Sequence, residues 1–129
     1  MSAAPADFAR APATYYGGLE APEPLRGRLF LSSWGIQFVW ETKQDERQLV
    51  IPRDRIGGIE TSTDRSTNPF AVLLFGVIGL LASDPTAGLI VETTDDRVAA
   101  FGVHGVTSAQ LVGALSRFGL YRKTEGKTA

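Results

Sequence analysis

"GRLFLSSWGIQFVW", residues 27–40, decides the fold. Leu29 and Leu31 alternate with partners of mixed character, and Ile36, Phe38 and Trp40 do the same after a short Ser-Trp-Gly break. Side chains on a strand point to opposite faces with period two, so each half reads as a strand with one apolar face. Ser33-Trp34-Gly35 is then the tight turn between them, and the two apolar faces meet in a core.

The same pattern extends both ways. Upstream, "YYGG" predicts a strand near residues 14–20, followed by a proline-interrupted connection. Downstream, "TKQDER" is a polar hairpin loop, "QLVIP" a fourth strand, and "RIGGIETS" a fifth with Gly57-Gly58 marking a bulge. "AGLIVETTDDRVAAFGV", residues 87–103, reads as a hairpin turning at Thr94-Asp95-Asp96. Seven strands result. The period then changes: "TSAQLVGALSRFGL", residues 107–120, sets Leu111, Leu115 and Phe118 at helical spacing, opens with Thr107 and Gln110 as a capping box and stops at Gly119. The predicted architecture is mainly β with one C-terminal α-helix, a partly open antiparallel barrel or sandwich of seven strands capped by the amphipathic helix.

Composition narrows the function classes. The chain has 129 residues, enough for one domain with a single core. Thirteen Lys and Arg stand against fourteen Asp and Glu, a formal net charge of -1, so no broad cationic field recruits nucleic acid. With no cysteine and one histidine, a thiol nucleophile, a disulfide framework and a Cys/His zinc site are excluded. The opening "MSAAPADFARAPAT" lacks an apolar stretch behind a basic start, so it reads as a flexible lead-in over 1–13 and the expected location is cytoplasmic. The domain is expected over 14–120 and a polar tail over 121–129.

The order of elements resembles the pleckstrin-homology-like superfold, in particular small bacterial PH-like and GRAM-type domains. Three pieces carry the likeness: "GRLFLSSWGIQFVW", "LVIPRDRIGGIE" with its Ile51, Ile56 and Ile59 spacing, and "LIVETTDDRVAAFGV" running into the helix. The resemblance spans about residues 14 to 120 and implies a scaffold that hosts lipid binders, peptide binders and purely structural modules. Lipid-binding members hold a headgroup with basic residues around the loop joining the first two strands. Here that loop, "GLEAPEPLRGR", sets Glu20 and Glu23 against Arg26 and Arg28. "LSSWGIQF" is also similar to the S-x-x-G turn of PilZ domains, which bind cyclic di-GMP, but the R-x-x-x-R element upstream of that turn is missing.

One stretch departs from the simplest family pattern. "NPFAVLLFGVIGLLASDP", residues 68–85, falls in an insertion over 66–85 between the fifth and sixth strands, and every residue from Phe70 to Ala82 is apolar or glycine. As a helix those thirteen residues reach roughly 20 Å, short of a roughly 30 Å hydrocarbon core. Three uses stay open. The run packs on outward strand positions such as Val39, Val50, Ile90 and Phe101; it meets a second copy or another protein; or it dips into one membrane leaflet.

The expected interaction surface is Phe70, Val72, Leu73, Leu74, Phe75, Val77, Ile78, Leu80 and Leu81, with Trp34 at its turn as a further aromatic anchor. Arg53, Arg55 and Arg65 are the candidate anion or headgroup contacts, although Asp54 and Asp64 beside them fit a solvated, salt-bridged surface. His104 has no evident nucleophile or metal-ligand companion and reads as a strand-end hydrogen bonder. Asp95 and Asp96 are turn formers. No catalytic residue, metal site, cofactor or small-molecule substrate is expected. The sequence points to a non-enzymatic interaction module that self-associates or binds a protein partner through 70–82. The alternative is a peripheral membrane-binding domain on the inner face of the membrane, inserting the same segment; a PilZ-like nucleotide sensor is more remote.

Overall fold

The structure is a computed structural model and describes residues 10–17, 25–62 and 86–121. Among these residues, seven strands form one antiparallel sheet: β1 (Arg10–Gly17), β2 (Leu25–Ser32), β3 (Gly35–Glu41), β4 (Glu46–Pro52), β5 (Ile56–Thr61), β6 (Thr86–Thr93) and β7 (Val98–His104). Their order across the sheet is β4-β3-β2-β1-β7-β6-β5, so among the described residues β4 and β5 are its edges and it does not close. A helix, α1 (Ser108–Arg117), follows. This is the mainly-β fold with a C-terminal helix that the alternation predicts.

β2 and β3 join through the two-residue turn Ser33-Trp34, and Ser32 pairs with Gly35. Gly35 has φ +149, and a Cβ there would stand 2.3 Å from the Ile51 carbonyl oxygen, so only glycine fits. The expected faces form. Leu29 and Leu31 lie opposite Phe38 and Ile36, and all four are buried. The register of β5 against β6 shifts between Ile56 and Gly58, which is the bulge expected at the glycine pair.

The sheet curls on itself. Phe38 of β3 and Phe101 of β7 belong to strands separated by β2 and β1, yet their ring centroids are 5.6 Å apart. Tyr15 lies 5.9 Å from Phe38 and 5.4 Å from Phe101, completing an aromatic cluster at the centre of the core. Leu111, Ala114 and Leu115 of α1 join the same cluster, as does Leu120 beyond it. The helix begins with the reciprocal bonds expected of its sequence: the Gln110 backbone N–H donates to the Thr107 hydroxyl (3.1 Å), and the Thr107 N–H donates to Gln110 Oε1 (2.9 Å). It ends before Gly119, whose φ is +72.

Two expectations need correction. β1 begins at Arg10 rather than Thr14, because Ala11 and Ala13 are buried on its inner face. Pro12 is tolerated where β1 has β2 alone as neighbour, since pairing with β7 starts at Ala13. Phe101, expected on an outer face with Ile90, is instead in the core. Leu89 pairs with Phe101 while Ile90 pairs with Ala100, so Ile90 and Phe101 point to opposite sides.

Candidate functional site

A cavity of about 420 Å³ lies between Leu49 to Pro52 of β4 and the group Arg55, Thr93, Asp95 and Arg97. Its geometry follows from local sequence. Pro52 ends β4, and the residues Arg53–Arg55 form a single 3-10 turn. The Arg53 N–H donates to the Trp34 carbonyl (2.7 Å), fastening that turn to the β2–β3 hairpin. The Thr94 N–H donates to the Arg55 carbonyl (2.9 Å), fastening it to the β6–β7 hairpin.

The β6–β7 turn is itself tightly built. Thr93 N–H donates to the Arg97 carbonyl (2.8 Å), Arg97 N–H donates to the Thr93 hydroxyl (3.0 Å), and that hydroxyl donates to the Asp95 carboxylate. Asp96 takes a left-handed φ of 67, as an aspartate in a turn can. The Thr93 hydrogen bond, helped by the turn's own backbone and by Arg55 and Arg97, outweighs desolvation and holds the Asp95 carboxyl below its ordinary range. Asp95 bridges to Arg55 at 3.9 Å, both side chains being about half exposed, so the pair contributes little stability.

The three arginine candidates part company. Arg55 stands at the groove beside Asp95 and Arg97. Arg53 turns the other way, with its guanidinium close to Gly119 after α1, and it shares a shallow surface with Trp34, Pro52 and Asp54. Arg65, together with Phe70, Val72, Leu73, Leu74, Phe75, Val77, Ile78, Leu80 and Leu81, lies outside the described residues. Trp34 is 47 % exposed at its turn.

The attachment points of the 63–85 connection are described. Ser62 N–H donates to the Gly88 carbonyl (3.1 Å), and Gly88 N–H donates to the Ser62 hydroxyl (3.2 Å). The connection thus leaves β5 and enters β6 side by side, at the end of β5 opposite Arg55. With six residues in β5, these two ends are separated by roughly 20 Å.

His104 bridges three strands on the outer side of the sheet, its Nε2 lying 2.9 Å from the Thr14 hydroxyl and its Nδ1 3.3 Å from the Thr86 hydroxyl. The sequence reading did not find this trio. Its signal was parity alone, since Thr14 pairs with Gly102, two places before His104 on the same face of β7. The hydroxyls are held on regular strands, and neither depression described above reaches them, so the arrangement ties β1, β7 and β6 together. Among the described residues, no three His, Asp or Glu side chains converge as metal ligands.

Among the described residues, no helix is long and apolar enough to cross a membrane. Comparison with family models, curated proteins and solved structures finds no match.

Proposed function

We propose that this chain is a cytoplasmic, non-enzymatic interaction module of pleckstrin-homology-like type, which self-associates through the apolar run Phe70 to Ala82. One observation carries the reading. Apolar side chains from all seven strands and α1 form one continuous cluster among the described residues. Between β5 and β6 the sequence adds thirteen consecutive apolar or glycine residues, more apolar surface than a connection between neighbouring strands needs. Burial against the same stretch of a second copy is the simplest cover for so much apolar surface. The meandering strand order and the terminal helix support the fold-family part of the proposal.

The composition of the run favours self-association over membrane insertion: residues 70–82 carry no charged or polar side chain, whereas an interfacial helix sets a basic face beside its apolar one. Trp34, Arg53 and Arg55 gather at one end of β5, whereas Ser62 and Gly88, described residues on either side of the 63–85 connection, pair at the other.

The test is the double substitution Leu74→Asp with Ile78→Asp, followed by circular dichroism and mass in solution. A folded monomer from an oligomeric parent supports the proposal. An unfolded variant, or a folded one with unchanged mass, removes it.

A further inference from the structure

We propose that the outer face of β5, β6 and β7 is the seat of the chain's own apolar run, Phe70 to Ala82, which docks there on Ile90 and Ala100. The outer side of the sheet has two unlike halves. Over β2, β3 and β4, outward positions such as Arg28, Gln48 and Val50 are exposed, Val50 by 41 %. Over β5, β6 and β7 they are closed. Ile90 and Ala100 pair across β6 and β7 on the side away from the core, and each is 0 % exposed. Glu60 stands opposite Ile90 on β5, an edge strand among the described residues, and is 5 % exposed. Outward side chains of a sheet are screened this completely when a second layer lies over them.

That layer is not α1, whose Leu111, Ala114 and Leu115 belong to the inner core. Tyr16 and Val98 flank the pair and are themselves only partly buried. Tyr16 lies along Gly102, where a Cβ would stand 3.0 Å from its Cε2, so it borders the seat on the β1 side.

Composition and tether pick the occupant. Of the stretches outside the described residues, 18–24 carries Glu20 and Glu23, and 122–129 carries Arg122, Lys123, Glu125 and Lys127. Residues 1–9 have Met1 and Phe8 as their large apolar side chains, whereas 63–85 contains the long apolar run. That connection enters β6 at Thr86, which shares the outward parity of Ile90 four residues on, roughly 13 Å along the strand at about 3.3 Å per residue. The run therefore reaches the seat by folding back over the strand it joins. An all-apolar segment has no side suited to water, so one side meets Ile90 and Ala100 and the other is left for a second copy. The contact lies within one chain and stands whether or not copies associate.

The test is a methyl nuclear Overhauser experiment on the parent protein with Ile, Leu, Val and Ala methyl groups isotope-labelled. It is run on fully labelled protein and on labelled chains refolded with a large excess of unlabelled ones. The expected result is cross-peaks from the Ile90 and Ala100 methyls to methyls of residues 70–82, at equal strength per labelled chain in both samples. Cross-peaks lost on dilution would give the seat to the run of a second copy, overturning this assignment while leaving self-association standing. Cross-peaks to residues 1–9, 18–24 or 122–129 instead, or to the described strands alone, would also overturn it. A monomer by light scattering with the cross-peaks intact would remove the self-association reading and uphold this one, so the two fail separately.

Discussion

Gly27 of β2 comes so close to Val39 of β3 that a Cβ at position 27 would stand 2.1 Å from the Val39 carbonyl oxygen and 3.0 Å from Phe38 Cζ. Here the missing side chain makes room for a neighbouring backbone as the sheet curls. Gly27→Ala should therefore force strands apart and destabilise the fold by roughly 1–3 kcal/mol. A lower urea midpoint at unchanged slope is the expected reading; an unchanged midpoint would show that the close approach is not needed.

Thr107 and Gln110 satisfy each other's backbone donors at the start of α1. Removing the hydroxyl in Thr107→Ala should cost about 1 kcal/mol. Because α1 delivers Leu111 and Leu115 to the core, the loss should appear in global unfolding, with no separate local transition.

Most of this was legible in the sequence, for a local reason. Turns, caps and bulges are marked by the residues that make them: Gly35, Gly57-Gly58, Asp95-Asp96, Thr107 and Gly119. Face assignment failed where both faces are apolar. "VAAFGV" gives β7 small or apolar residues at every position, so only pairing with Leu89 fixes Phe101 inward. Ala11-Pro12-Ala13 resembled a lead-in because small side chains give no amphipathic signal. The groove was invisible because it is made by strands far apart in sequence, β4 and the β6–β7 turn, and by an edge whose freedom depends on global strand order.

Thr93 and Asp95 supply a pH-dependent test. The folded-state pKa of Asp95 lies below its ordinary 3.8, so the stabilisation is complete above that value and is lost as pH falls through the lower folded-state value. The stability gap between the parent and Thr93→Val should thus be wider at about pH 6 than at about pH 3. In a carboxyl titration followed by NMR, the Asp95 midpoint should rise toward 3.8 in the variant. An unmoved midpoint would assign the depression to Arg55 and Arg97 instead.

Trp34 is exposed and separated from the roots of the 63–85 connection. Trp34→Ala should change stability by no more than about 0.5 kcal/mol and leave the solution mass unaltered. Loss of vesicle binding in that variant, from a parent that floats with anionic vesicles, would favour the membrane alternative.

The most direct test of the central claim is the solution mass of the detergent-free protein by light scattering across a dilution series. The account predicts a defined multimer that dissociates on dilution and whose formation is insensitive to salt, as apolar burial requires. A monomer at every concentration would contradict it.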